Sequence, residues 1–284
     1  MITYYDRERE ALAEEIQYQE KILKFLYETA LGRLCLKAFV ARPWFSRVKS
    51  RYQKSSRSAK DILPFAEKHR ISLTPEASRE FSCFNDFFTR PHSPLPTSGE
   101  NRLIAPADAK LTVYPISESL QLTIKHTEYS VEDLVEDSQL AAQFRGGTCL
   151  VYRLSADQNH HYFYVDTGSV LARKKIMGVL HTVRPIAENY RVFARNSREV
   201  TVLSTKHLGC MVQIEVGALL VGKINNRPLE HFTKNDEKGF FEFGGSTIVQ
   251  LLQRPICLDD DIMQMNEKGI ETKVYAGEGV GTIC

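Results

Sequence analysis

Short runs of β-branched and aromatic residues follow one another from about Leu103 to Leu252, and they restrict the possible fold more than any other feature. Polar residues and glycines separate these runs, as expected for strands joined by turns. Two segments, 131–144 and 186–194, are predicted to be helices. Because strands and helices do not alternate regularly, we predict an α+β fold with a mostly antiparallel, β-rich domain. The predicted strands are 110–114, 121–125, 149–154, 162–166, 199–204, 211–216 and 247–252.

The first part of the chain has a helical pattern. Residues 8–41 are predicted to form helix, because apolar side chains recur at intervals of three and four among good helix formers. Pro43 is expected to end that segment. We therefore divide the chain of 284 residues into an N-terminal helical region, residues 1–75, and a β-rich catalytic domain, residues 76–284. A chain of this length can bury a core in each part.

The charge of the N-terminal region is uneven, since every charged residue between Glu28 and Asp61 is basic. Apolar residues such as Trp44 and Val48 lie among these charges, a mixture typical of a segment on an anionic membrane surface. The alternative is a solvated helix that packs on the rest of the protein. A nucleic-acid interface is disfavoured, because aromatic stacking positions are sparse and the rest of the chain is not basic.

Several classes of protein are disfavoured by composition. The longest apolar runs, such as 216–221, are far shorter than the roughly 20 residues of a membrane span. Residues 6–10 are all charged, which argues against a secretory signal, so we expect the protein to stay in the cytoplasm or on its membrane face. Together with the basic segment, this predicts a peripheral protein on the cytoplasmic face of the cell membrane. The six cysteines contain no C-x-x-C pair, which argues against a zinc site or a disulfide framework and predicts reduced thiols.

The segment 239–249 contains Gly244, Gly245 and Ser246 between two strongly apolar runs. Glycine at such a point predicts a bend, a bulge or a close approach of the backbone. A serine that follows a glycine can attack the preceding carbonyl carbon through its own Oγ atom. The resulting ester can eliminate and hydrolyse to leave a pyruvoyl group on the new N-terminus. Taken alone, Gly-Gly-Ser-Thr is weak evidence for this chemistry, because such tetrapeptides are common in ordinary turns.

A nucleophilic serine needs a base, which is usually a histidine oriented by a carboxylate. His160 and His161 lie at the start of a predicted strand, and Asp108 lies in a predicted tight turn before another strand. Each residue also has an ordinary explanation, as a surface polar group or a turn residue. The residue types alone leave both explanations open.

Seven segments, in order along residues 80–252, closely resemble the phosphatidylserine decarboxylase family. The most specific is Phe243-Gly244-Gly245-Ser246-Thr247, and a match of all seven in register is far more specific than any one motif. The others are 84–90, 106–108, 157–166, 181–185, 196–199 and 216–222.

The resemblance implies a self-processing proenzyme. Cleavage between Gly245 and Ser246 would give a β chain, 1–245, and an α chain, 246–284, with Asp108 orienting the base His160 and Ser246 as nucleophile. The pyruvoyl group formed from Ser246 would bind the substrate amine as a Schiff base and convert phosphatidylserine to phosphatidylethanolamine and CO2. Neither a metal nor pyridoxal phosphate is expected. A homodimer of processed chains at an anionic, phosphatidylserine-containing membrane surface is also implied.

Three departures from the family pattern are present: Ala109 replaces a glycine, Asn159-His160-His161 replaces Tyr-His-Arg, and Phe163 replaces a second histidine. The choice between His160 and His161 as base therefore stays open, and the task of the second histidine is either absent here or passes to His161 or His181. Two other functions also stay open: a pyruvoyl-dependent decarboxylase of a free amino acid, and a non-catalytic β-rich binding domain on the same scaffold.

Overall fold

The computed structural model describes residues 2–15, 20–124, 127–219, 223–244 and 246–282. The strands are β1 (Thr3–Asp6), β2 (Ala11–Glu14), β3 (Arg102–Ile104), β4 (Ala109–Pro115), β5 (Gln121–Ile124), β6 (Thr127–Ser130), β7 (Thr148–Leu154), β8 (His161–Phe163), β9 (Gly168–Ile176), β10 (Arg198–Thr205), β11 (Gly209–Gly217), β12 (Ile224–Asn226), β13 (His231–Phe232), β14 (Glu237–Phe241), β15 (Ser246–Leu252), β16 (Cys257–Leu258), β17 (Glu271–Val274) and β18 (Gly279–Thr282). The helices are α1 (Glu20–Glu28), α2 (Ala30–Cys35), α3 (Pro43–Gln53), α4 (Ile62–His69), α5 (Pro75–Ser78), α6 (Phe84–Phe88), α7 (Val131–Val135), α8 (Ser138–Ala142), α9 (Val192–Arg195) and α10 (Asp260–Glu267), with a π-helical turn at Leu36–Val40 and 3₁₀ turns at Ser56–Asp61 and Pro185–Tyr190.

The main sheet places β15 near its centre, between β11 and β7. Across the described ranges its strand order is β13-β9-β10-β11-β15-β7-β4-β17-β1-β2, and the pairs are antiparallel except for β1 with β17. This arrangement confirms the predicted α+β class. Every residue of β15 is buried, because Val249 and Leu251 pack on one face while Ile248 and Leu252 pack on the other. Backbone bonds on two edges and packing on two faces therefore hold β15.

The helix predicted for residues 8–41 is wrong at its start. Strands β1 and β2 form a hairpin that joins the main sheet through β17, and helix begins only at α1. Arg7, which follows β1, binds three distant carboxylates, those of Asp259, Asp261 and Glu278. Such tertiary contacts override local helix propensity. The division of the chain into two regions stays a prediction.

The two helices predicted in the β-rich part are each interrupted. The segment 131–144 divides into α7 and α8, because Glu136 adopts a left-handed φ of 52° and Asp137 caps α8 with its side chain. The segment 186–194 divides into a 3₁₀ turn and α9 at Arg191, where φ is 50°. In both places a single left-handed residue ends the helical hydrogen bonding.

A cluster of aromatic rings joins the N-terminal helices to the β-rich part. Phe65 on α4 and Phe84 and Phe88 on α6 surround Phe243, which follows β14. The rings of Phe84 and Phe88 each lie 5.0 Å from the Phe243 ring, edge to face. This geometry is favourable for aromatic pairs. The cluster therefore anchors the backbone immediately before Gly244.

Two expectations about the chain as a whole can be compared with the structure. A membrane-spanning helix is not found in the described ranges, since none of the helices there has the necessary length and apolar composition. The prediction of reduced thiols is wrong for Cys257, which is disulfide-bonded. Four other cysteines are free thiols: Cys35, Cys83, Cys149 and Cys210.

Candidate active site

Ser246 is the first residue of β15 and is completely buried. Its strand neighbours are Leu154 on β7 and Gly217 on β11. Among the described residues, nothing forms a hydrogen bond with its Oγ atom. A buried hydroxyl without a partner is costly, so it suggests a chemical role. Gly245, the other residue of the predicted cleavage site, lies outside the described residues.

The backbone before the predicted cleavage site is held by several contacts. Gly244 has a φ of 140°, which side-chain-bearing residues rarely adopt and which agrees with the predicted bend. The Phe241 N–H donates to the carbonyl of His160 over 3.0 Å, so this segment touches the predicted base. The Glu242 carboxylate accepts a hydrogen bond at 2.8 Å from Nζ of Lys54, the residue that follows α3. The backbone that leads to Ser246 is thus held by contacts with both the helical and the β-rich parts.

His160 has the protonation state that a base requires. It is completely buried, with its ring 4.3 Å from that of Phe88, and burial lowers its pKa to about 4. Its Nδ1 atom lies 3.0 Å from the carbonyl of Gln158, which can only accept, so Nδ1 carries the hydrogen. The Nε2 lone pair is therefore available, and Nε2 has no hydrogen-bond partner in the described part of the chain.

His161 has an acceptor oxygen beside each ring nitrogen. Its Nε2 lies 3.1 Å from the carbonyl of Thr89, and its Nδ1 lies 3.3 Å from Glu237 Oε1. The ring also stacks on Phe240. Because both His161 nitrogens face oxygens of other residues, whereas His160 Nε2 has no partner in the described ranges, the geometry favours His160 over His161 as the base.

Asp108 is bound to a histidine other than the predicted one. Its Oδ1 atom lies 3.2 Å from His92 Nε2 and accepts the Ala276 N–H at 3.0 Å. Burial raises the pKa of Asp108, but these hydrogen bonds outweigh burial and hold the pKa below its ordinary value. The predicted side-chain contact from Asp108 to His160 is not formed in the described structure. His92 lies outside the motifs recognised in the sequence, so its contact with Asp108 could not be predicted.

His181 lies at the contact between α1 and the β-rich part. Its Nδ1 atom is 3.2 Å from the hydroxyl of Tyr27, which also accepts the Thr182 N–H at 3.0 Å. Burial lowers the pKa of His181 to about 4, so its ring is neutral. Asn196 accepts the His181 N–H and donates to the carbonyls of both His181 and Gly217. The loop that carries His181 is thereby tied to the strand neighbour of Ser246.

A buried group of charges supports the strands beside β15. Arg153 on β7 is opposite Thr247 in the sheet, and its guanidinium binds the carboxylates of Glu15 and Glu271. Lys110 on the other neighbour of β7 lies 3.3 Å from Glu15. Burial raises the pKa of Glu15, but the two cations outweigh burial and keep this pKa well below its ordinary value. This group leaves no local pattern in the sequence, because its members are far apart along the chain.

Comparison with known proteins places these residues in context. A family model described as "Phosphatidylserine decarboxylase" matches residues 83–282. The "Phosphatidylserine decarboxylase proenzyme 2" of Clostridium acetobutylicum is 43% identical over 285 residues, which cover 99% of this chain and 98% of the relative. Proteins named "Phosphatidylserine decarboxylase proenzyme" from Ruminiclostridium cellulolyticum and Clostridium perfringens are 37% and 35% identical and cover 99% of this chain. These alignments cover 97% and 99% of the two relatives.

Proposed function

Because the chain belongs to the phosphatidylserine decarboxylase family, we propose that it cuts itself before Ser246 and then converts phosphatidylserine to phosphatidylethanolamine and CO2. One observation supports this proposal most directly: Ser246 Oγ and His160 Nε2 are both buried without partners among the described residues. The backbone bond from Phe241 to His160 ties the base to the segment that precedes the serine. The word proenzyme in the names of the relatives supports processing in this chain.

The residues of the chain account for the processing chemistry. His160 Nε2 takes the hydroxyl proton of Ser246, and Oγ attacks the carbonyl carbon of Gly245. The amide C–N bond breaks as the ester C–O bond forms, and His160 returns the proton to the freed amine of residue 246. Loss of the Cα proton of residue 246 then expels the carboxylate of Gly245. Water finally replaces the nitrogen of residue 246, which leaves as ammonia, and a pyruvoyl group remains.

The surroundings of Ser246 fit a pyruvoyl group. Residue 246 lies opposite Gly217, which has no side chain, so a planar group can occupy the start of β15. Pairing with β7 and β11 would keep the new N-terminus in place after cleavage. The pyruvoyl ketone supplies an electron sink for the bond that breaks when CO2 departs. His160 Nε2 would then return a proton to the substrate carbon.

The substrate assignment predicts a specific pattern of CO2 release. Phosphatidylserine in detergent micelles should release CO2, whereas free serine and aromatic amino acids should release little or none. The physical reason for the preference is the apolar and basic surface described below, which free amino acids do not use. Efficient release from a free amino acid would establish the alternative decarboxylase. An uncut chain without release from any substrate would establish the binding-domain alternative.

The N-terminal helices carry the surface that we propose to contact the membrane. Trp44 and Val48 lie one helical turn apart on α3 and are about half exposed, as expected for a face that contacts another surface. Arg47 and Arg51 on the same helix are exposed as well. Basic and apolar side chains together suit an anionic bilayer surface. Other exposed apolar residues of this region are Ile22, Phe25, Leu31, Leu34 and Phe39.

Flotation with vesicles tests this surface. Recovery with phosphatidylglycerol vesicles should exceed recovery with phosphatidylcholine vesicles by roughly tenfold, because each basic residue near an anionic surface contributes about 1 kcal/mol. Replacement of Phe39 and Trp44 by serine should reduce the recovery several-fold. Leu171→Ser is the matched control, because Leu171 is exposed on β9, away from these helices. Equal recovery with both vesicles would contradict the proposal.

The homodimer stays a prediction that sedimentation of the processed protein can test.

A further inference from the structure

The segment 89–92 contacts the turn that carries His160, and we call this segment the clasp. The carbonyl of Thr89 lies 3.1 Å from His161 Nε2, and the carbonyl of Arg90 accepts from Asn159 Nδ2 at 3.1 Å. At the end of the segment, His92 Nε2 lies 3.2 Å from Asp108 Oδ1. The clasp therefore contacts the residues on both sides of the base, and His92 connects it to Asp108.

Both ring nitrogens of His92 face atoms that can only accept a hydrogen. Nδ1 lies 2.6 Å from the carbonyl of Ser93, and Nε2 faces the carboxylate of Asp108. These two contacts favour the protonated ring, and the hydrogen bond to Asp108 raises the pKa of His92 despite partial burial. The edge of the ring packs against Phe163, with centroids 5.5 Å apart. His92 is therefore held in place between two acceptors and an aromatic ring, beside a mostly buried carboxylate.

Asn159, the residue before His160, passes this constraint to the base. Its Nδ2 atom donates to the carbonyl of Arg90 at 3.1 Å, and its Oδ1 atom accepts the N–H of His161 at 2.9 Å. The Asn159 side chain therefore joins the segment 89–92 to the peptide on the far side of His160, so the position of this segment sets where the base points. An unpaired carboxylate next to this segment would turn toward water or another donor, because a buried charge needs a partner.

We propose that His92 is a positioning residue for self-processing: its bond to the Asp108 carboxylate holds the segment 89–92 against Asn159 and thereby orients His160 toward Ser246. Asp108 thus acts on the base through this segment, and His92 is the histidine that it binds with its side chain. The inference rests on the proposed self-cleavage of the chain. Neither His92 nor Asp108 touches the reacting atoms in this scheme.

Two substitutions of His92 separate this role from simple packing. His92→Phe keeps an aromatic ring against Phe163 but removes both donors, whereas His92→Gln keeps a donor near the Nε2 position. Full-length chains are synthesised in a cell-free system, and cutting is followed on denaturing gels. We expect the Phe variant to be cut at least about tenfold more slowly than the natural chain, since small misplacements of a reacting group have effects of this size or larger. The Gln variant should be cut within about threefold of the natural rate, because a donor remains on Asp108.

A matched control is available in a second histidine–aspartate pair. His207 Nδ1 lies 2.8 Å from Asp166 Oδ1, so His207→Phe makes the same change in a pair that the scheme does not use. This control should be cut at the natural rate, and thermal melting should show that all variants fold. Natural-rate cutting of a folded His92→Phe chain would overturn the inference, as would a Gln variant that is slower than the Phe variant. If the natural chain itself is not cut, the proposed function fails instead.

Discussion

Ser246→Ala is expected to leave a single uncut chain of 32.4 kDa that releases no CO2 from phosphatidylserine. The substitution removes Oγ, the atom that attacks the Gly245 carbonyl, and without cleavage no ketone can form. The change should not disturb the sheet, because Oγ has no hydrogen-bond partner among the described residues. Intact mass measurement and a CO2 assay check the two parts of this prediction. An Ser246→Ala chain that is still cut after residue 245 would assign the cleavage to another nucleophile or to a protease.

The two adjacent histidines provide the companion experiment. His160→Ala should also block cutting, because its neutral Nε2 is the available base. His161→Ala should still be cut, since the His161 nitrogens face Thr89 and Glu237 rather than a free site. Blockage only in His161→Ala would move the base by one position. Losses of this kind are complete or nearly so, because nucleophile and base act as a unit.

Glu271→Gln is expected to lower the free energy of unfolding by about 3–5 kcal/mol, the usual cost of breaking a buried ion pair from one side. Arg153 is buried beside β15 and depends on Glu271 and Glu15 for compensation of its charge. Among the ion pairs of the described residues, removal of this carboxylate leaves Glu15 as the one that compensates both Arg153 and Lys110. Urea unfolding in the Ser246→Ala background measures the change, because an uncut chain permits reversible unfolding.

The control for this measurement is an exposed ion pair. Lys24 Nζ lies 2.8 Å from Glu20 Oε1, and both side chains are about half exposed. Glu20→Gln should leave the urea midpoint unchanged, since solvent already screens that pair. If Glu271→Gln lowers the free energy of unfolding by less than about 1 kcal/mol, water compensates the charge of Arg153 in the same way that it compensates an exposed charge.

Much of the β-rich part could be predicted from local patterns. The runs 149–154, 211–216 and 247–252 correspond to β7, β11 and β15, since these strands are buried on both faces and consist of apolar runs. By contrast, β9 was missed, because its second half is exposed and rich in arginine and lysine. Its strand conformation is imposed by pairing with β10 and β13.

The candidate site was predicted unevenly for the same reason. Ser246 and His160 could be found because each lies in a recognisable motif. Asp108 could also be predicted as a site residue. Its partner His92 could not, since a contact between these two residues leaves no periodic signal in the chain. The clasp of residues 89–92 around the His160 turn likewise depends on where two distant segments meet.

The amino-acid sequence alone determined the strand-rich class, the family resemblance and the glycine-serine bend, because each of these depends on neighbouring residues or on short motifs. Only the tertiary structure decided that residues 3–14 join the main sheet, that Arg153 lies between two carboxylates and that His92 binds Asp108. Those contacts are selected by burial and charge compensation in the whole folded chain, where the cost of an unpaired buried charge outweighs local preference.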